Sequence, residues 1–473
     1  MVRALLIAAV MAAGVACATQ PPATRPPLDP LPDLAGRSPA LASHIRNAYE
    51  AAARVPSSAA AVSSLCVAYH ADMLFAEASR CYERLATLDS DWRWDYYRAL
   101  IDIELGGGDA LAARLRALAS RVPDSVVIWL RLADAEFKAS RYEAAADAWR
   151  RARALPPVDS AGTPPHVTEV PHAAYAALGL ARVALAADDA EGARALLEPV
   201  TQDAPSFGPA FRLLGEAYRR LGRRADADRA IARAARRQAF APFIDPLSDA
   251  LTRQSRNSTL LLRAASEASL SVNGAWSEYL ARRAVEFEPR NPEAIAKLAR
   301  VLRTLGRNEE ALPLFRQYRE LVPGDFLGLA NEAGCLSALG RFDEAEPLFR
   351  QALAGLDDPV THYNLGLLLA TTGRLDDAAR EYRLALDRDA AYLDARGNLA
   401  AVLVRQGRFD AAVRELRRLV EIDAESAVGF TNLGLVLLEQ GKRADARAAL
   451  RRALEIDPTM ARAAEVLRSI GGS

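Results

Sequence analysis

The sequence predicts an all-α fold of paired helices stacked in a row, and three observations carry that expectation. A residue pattern returns every 34 positions in the C-terminal third. Within it, residue sizes keep their places: Leu365-Gly366, Leu399-Ala400 and Leu433-Gly434; Gly373, Gly407 and Gly441; Ala378, Ala412 and Ala446; Tyr382, Leu416 and Leu450. Hydrophobic residues reach 51% while aromatics are 7%, which suits many small helix contacts better than a few large aromatic cores. Each period has room for two antiparallel helices. The large residues at repeat positions 7 and 24 face each other across the pair, and small residues at positions 8 and 20 let the backbones approach. Glycine at position 15 ends the first helix, and proline near position 32 stops the second.

The chain has 473 residues, with 60 basic and 60 acidic side chains. That balance argues against nucleic acid as a partner, because neutralising phosphates needs a surplus of cations.

Met1-Val2-Arg3, an apolar run from Ala4 to Val15 and small residues at its exit fit an export signal over residues 1–16. The run is too short to span a bilayer, which needs roughly 20 apolar residues. Two processing readings stand. Gly14-Val15-Ala16-Cys17 resembles the lipobox of bacterial lipoproteins, with Cys17 as the lipidated residue and glycine where a leucine-like residue is usual. Ala16-Cys17-Ala18 alternatively serves as an A-x-A cleavage site. Residues 17–38 carry Pro21, Pro22, Pro26, Pro27, Pro30 and Pro32 and read as a tether. At about 3.1 Å per residue in polyproline II, it reaches roughly 60 Å.

The repeats follow. Residues 39–159 hold a leading helix over 39–55 and units starting at 59, 92 and 126. Residues 160–173, with Pro164 and Pro165, are an insertion. Residues 174–241 hold units starting at 174 and 208, and residues 242–257, with Pro242 and Pro246, are a linker where the array is expected to flex. Residues 258–460 hold six more units, starting at 258, 292, 326, 359, 393 and 427, and residues 461–473 a capping helix. The units at 92 and 258 match the pattern weakly, and Glu332 stands where a leucine is expected. In the cap, Val466, Leu467 and Ile470 are placed to cover the last open face.

This pattern resembles the tetratricopeptide repeat over most of the chain. The resemblance implies a right-handed superhelical solenoid, first helices lining a concave wall, and protein partners. It implies neither catalysis nor a cofactor. The residues agree. His44, His70, His166, His172 and His362 are scattered, and the spacing of His166, Glu169 and His172 matches no metal motif. Gly106-Gly107-Gly108 lacks the Lys-Ser/Thr of a phosphate loop. Cys66 and Cys81 fall on facing helices, where two buried thiols in place of alanine are favoured over a bridge. The basic cluster Arg219, Arg220, Arg223, Arg224, Arg229, Arg233, Arg236 and Arg237 is broken by Asp226 and Asp228 and reads as a solvated outer face.

The feature with functional content is Asn331, Asn364, Asn398 and Asn432, all at repeat position 6 of the last four units. One amide per unit at constant phase makes a ladder along the inner wall, suited to an extended peptide backbone because an amide both donates and accepts. Asparagine at this position is also frequent in the family without a ligand. Around it, Leu327, Val360, Tyr363, Leu367, Val404, Leu435 and Leu438 form an apolar groove for a partner segment, bordered by Lys297, Arg300 and Arg303. The expected protein is a non-enzymatic interaction scaffold of the cell envelope, serving a secretion, pilus or polysaccharide-export complex. Its expected place is the outer membrane, lipid-anchored at Cys17 and facing the periplasm; the alternative is a soluble periplasmic protein. A chaperone-like holder of unfolded clients and a non-catalytic subunit of a glycosyl-transfer complex are the competing functions.

Overall fold

The computed structural model describes residues 28–156, 170–236, 243, 245–270 and 274–471. The signal, Cys17, the first half of the tether, His166 and residues 160–169 of the insertion lie outside the described residues. A leading helix α1 (Pro39–Arg54) precedes the pairs α2 (Ala59–Ala71) and α3 (Phe75–Leu85), α4 (Trp92–Glu104) and α5 (Asp109–Arg121), α6 (Val126–Lys138) and α7 (Tyr142–Ala154). Then come α8 (His172–Ala186) with α9 (Ala190–Asp203), and α10 (Gly208–Arg220) with α11 (Arg224–Arg236). A lone helix α12 (Pro246–Gln254) follows. The second series is α13 (Ser258–Leu270) with α14 (Gly274–Phe287), α15 (Pro292–Thr304) with α16 (Asn308–Leu321), and α17 (Phe326–Ala338) with α18 (Phe342–Leu353). It ends with α19 (Pro359–Thr371) and α20 (Leu375–Arg388), α21 (Leu393–Arg405) and α22 (Phe409–Ile422), α23 (Ala427–Glu439) and α24 (Arg443–Ile456), and the final helix α25 (Ala461–Gly471). All the regular structure among the described residues is helical, and the weakly matching units at 92 and 258 are helix pairs like the rest.

Local chemistry sets the boundaries. Before α15, Asn291 accepts from the Glu293 and Ala294 amides at 3.0 and 3.2 Å, and Pro292 starts the helix. Asp325, Asp358 and Ser426 cap α17, α19 and α23 in the same way. The turn inside each pair needs a left-handed residue: Gly373 has φ 81°, and the next amide, Arg374 N–H, reaches back to the Leu369 carbonyl at 2.8 Å. Where a unit lacks glycine there, Met73, Ser140 and Asp188 adopt φ of 63°, 59° and 60° at the same register. The turn geometry belongs to the repeat, and the residue accommodates it.

Close approach of the two helices needs a small residue opposite a large one. A Cβ on Gly366 would stand 2.8 Å from the Tyr382 ring, and one on Gly434 2.7 Å from Leu450. Glu332 is buried at the leucine position, 2% exposed, and is neutralised by Arg316 and Arg319 of α16, each 3.2 Å away. Two large apolar cores result among the described residues, one running from Leu41 to Leu251 and the other from Leu261 to Ala449. They separate within the segment expected to be a linker. Val466 and Ala463 of α25 close the end over Leu450 and Ala453.

Three placements differ from the sequence expectation. Cys66 and Cys81 form a disulfide instead of remaining thiols: antiparallel α2 and α3 bring their Cα atoms to 5.2 Å, within bridging range. Part of the tether is docked. Leu28, Leu31 and Leu34 pack on the first core, and Arg80 Nε donates to Asp29 at 2.7 Å. The 242–257 segment contains a helix, α12, that folds back against α2.

Candidate functional site

Neighbouring first helices touch along the second series, α13 to α15, α15 to α17, α17 to α19 and α19 to α21, with no comparable contact between neighbouring second helices. The first helices therefore lie on the inside of the curve. On this wall Asn398 Nδ2 donates to the Tyr363 hydroxyl at 3.1 Å, and Asn331 Nδ2 donates to its own helix at the Leu327 carbonyl, 2.9 Å away. Asn364 is half-buried and Asn432 exposed. Leu327, Val360 and Leu367 stand out at 48%, 49% and 43% exposure. Tyr363 is half-buried between Tyr382 and Tyr392, with ring centroids 5.9 and 5.1 Å away. Burial raises its phenol above the ordinary value, with Asp394 adding to the effect.

The structure does not gather all of the expected groove residues on one free surface. Leu435 and Leu438 pack into the cluster beneath α25, and Val404 leans on the second core. The expected groove residues that remain together on the inner wall run from Leu327 to Asn398. At its basic border Arg300 and Arg303 are exposed, and Lys297 Nζ donates to Ser269 Oγ at 3.2 Å. Burial lowers the Lys297 amine below its ordinary value, helped by the charge of Arg300.

The corresponding wall of the first series carries a segment of the chain itself. Asp245 is 5% exposed, and its Oδ2 accepts from the Tyr96 hydroxyl of α4 at 2.6 Å and from Arg131 Nη2 of α6 at 3.1 Å. Phe243 lies under the Arg131 guanidinium, 4.8 Å from ring centroid to Cζ, and beside Tyr175 of α8. Leu251 of α12 is buried in the first core. Burial pushes the Tyr96 phenol well above its ordinary value, and the Asp245 charge adds to this. Burial opposes the Arg131 charge, but Tyr96 and Asp245 outweigh it and hold the guanidinium protonated.

Sequence models of the tetratricopeptide repeat match residues 98–160, 174–199, 274–326, 335–392, 369–429 and 427–460, together more than half of the chain. The chain belongs to the tetratricopeptide-repeat family. No curated protein matches it. Among solved structures it is similar to YrrB, described as a tetratricopeptide protein with an unusual peptide-binding site, at 22% identity and a TM-score of 0.34 over 40% of this chain and 97% of that one. It is also similar to Pseudomonas aeruginosa pilF, at 17% identity and a TM-score of 0.40 over 45% and 97% of the two chains. The Cut9-Hcn1 hetero-tetramer of the APC/C is a third, at 12% identity and a TM-score of 0.42 over 84% and 94%. The family assignment rests on the repeat models, and these structural likenesses add no argument about partners.

In tetratricopeptide numbering Arg131 is position 6 of its unit, the phase of the asparagine ladder, and Tyr96 is position 5. Sequence reasoning passed over both. Their phase was legible, whereas their partner Asp245 belongs to a segment with no repeat signal.

The basic cluster pairs locally: Arg219 and Arg220 with Glu216, Arg223 and Arg229 with Asp226. Arg233 reaches Glu425 at 3.3 Å. Such exposed pairs contribute little stability. His362 is buried between Glu381 and Asp357, at 2.7 and 3.1 Å. His172 is buried at the start of α8, near Phe243. No metal-holding cluster occurs among the described residues, and no described helix is long and apolar enough to cross a membrane.

Proposed function

We propose that this tetratricopeptide protein is a non-enzymatic scaffold of the cell envelope that holds a partner segment on the inner wall of its second series. The observation that carries this reading is the alternation along one wall of position-6 amides with exposed Leu327, Val360 and Leu367. Amides pair with an extended backbone whatever its sequence, and the apolar side chains give a segment hydrophobic footing. Export with lipidation at Cys17, and service to a secretion, pilus or polysaccharide-export complex, belong to the same proposal and rest on the N-terminal residues and on the family. The docked Leu28 leaves about ten residues between lipid and body, a reach of roughly 30 Å at polyproline II spacing.

The test replaces Leu367 with a photo-crosslinking residue in cells, followed by mass spectrometry of the captured protein. Substituting Asn364, Asn398 and Asn432 by alanine should abolish that crosslink while costing only the small stability of the Asn398–Tyr363 hydrogen bond, about 1 kcal/mol. An undiminished crosslink removes the ladder from the reading. Many unrelated captured proteins would mark a chaperone-like holder, and a glycosyltransferase would mark a transferase subunit. Cys17→Ser should move the protein from membrane to soluble fractions; a wild-type protein already soluble supports the periplasmic alternative.

A further inference from the structure

The segment Phe243 and Asp245–Gln254 lies across the wall of the first series in the manner of a bound peptide. It makes three kinds of contact. The Asp245 carboxylate takes the Tyr96 hydroxyl and Arg131; the Phe243 ring sits among Arg131, Tyr175 and His172; Leu251 enters the core beside α2. Asp245 also uses Oδ1 to accept from the Ser248 amide at 3.2 Å, so the anion that docks the segment also caps its helix. The Asp245 contacts with Arg131 and Tyr96 join residues 114 and 149 positions apart, outside any repeat logic.

The segment is also anchored at its far end, and one side of α12 is left without packing. Asp72, fully buried at the end of α2, accepts from the Arg256 amide at 2.7 Å, and Arg283 of α14 donates to the Ser255 carbonyl at 3.2 Å. Alongside α12 lies a cleft of about 360 Å³, with His70, Leu100 and Glu104 of the wall on one side and Arg263 of α13 and Trp276 of α14 on the other. On that side Asp249 and Thr252 of α12 face the cleft and not packed protein, which lowers the cost of lifting the helix off.

We propose that Phe243 and Asp245–Gln254 form an intramolecular strap over a second peptide groove, displaced by a partner segment that presents an aromatic side chain two residues before a carboxylate. The wall states this preference: Arg131 and Tyr96 require an anion, and the pocket of Arg131, Tyr175 and His172 requires a flat ring. Because the strap is tethered, it acts at an effective concentration in the millimolar range and shields the groove from weak ligands. Only a partner of matching chemistry, supplied at high local concentration, replaces it. This groove is distinct from the asparagine wall, so the two readings stand or fall separately.

The test uses the full chain and a fluorescent synthetic peptide of residues 241–255. Asp245→Asn in the protein keeps the strap's shape but removes its charge, and should raise peptide affinity at least 10-fold over wild type by fluorescence anisotropy. A peptide carrying the same Asp245→Asn change should lose that gain, and so should the protein doubly substituted Arg131→Gln and Asp245→Asn. Equal affinity for wild type and Asp245→Asn, with native circular dichroism, overturns the proposal. If the variant does not fold, hydrogen exchange on the wild type decides. Millimolar unlabelled peptide should speed exchange of the Leu247–Gln254 amides and leave those of Glu293–Thr304 unchanged, and no acceleration overturns the proposal.

Discussion

His70 makes the first series sensitive to acid. Its ring is 5% exposed at the end of α2, edge-on to Phe75, Tyr82 and Tyr97 at centroid distances of 6.0, 5.8 and 6.0 Å. Its Nδ1 lies 3.4 Å from the Tyr82 hydroxyl. Burial lowers its pKa from 6.5 to about 3, because the imidazolium would lose its hydration in that aromatic surround. Below pH 6.5 the unfolded chain therefore binds a proton that the folded chain refuses. The contribution is whole above 6.5 and is lost progressively as pH falls from there toward 3. At roughly 1.4 kcal/mol per unit, lowering the pH from 7 to 5 costs about 2 kcal/mol.

The assay is urea unfolding of wild type and His70→Phe at both pH values, followed by tryptophan fluorescence. Trp94 stacks on Tyr82 at 6.3 Å and reports on this unit. The stability gap between the proteins should move by about 2 kcal/mol in favour of the variant on acidification, other titrating groups cancelling in the difference. A gap constant to within about 0.5 kcal/mol would refute the reasoning.

Two further outcomes follow from the same geometry. Reduction, or replacement of Cys66 and Cys81 by alanine, should cost the first series about 3 kcal/mol, as expected for a cross-link spanning 15 residues, and should leave unfolding of the second series in place. Peptide mapping without reductant that finds both thiols free would contradict the bridge. Ser140→Gly should stabilise the protein by about 0.5–1 kcal/mol in urea unfolding, because exposed Ser140 holds φ 59° at a turn where most of the other units place glycine.

The contrast between Glu332 and Asp245 marks where sequence reasoning stops. Glu332 broke the expected pattern and was visible as a departure, yet only the fold brought Arg316 and Arg319 to it from the preceding unit. Asp245 broke nothing, since it lay in a stretch with no pattern to break. The asparagine ladder was legible through its phase alone. The trimming of its groove was not, because only the folded chain shows that Leu435 and Leu438 pack into the cluster under α25.

By itself the sequence determined the units, their turns and the face each helix turns inward, because these depend on interactions within 34 residues that recur until they cannot be mistaken. The tertiary structure alone decided that Cys66 and Cys81 pair, that the tether docks from Leu28, and that the supposed linker lies on the wall of the first series. Those contacts occur once each. The linker's join residues about 70 to 150 positions apart, at distances set by the accumulated curvature of the stack, which no single repeat contains.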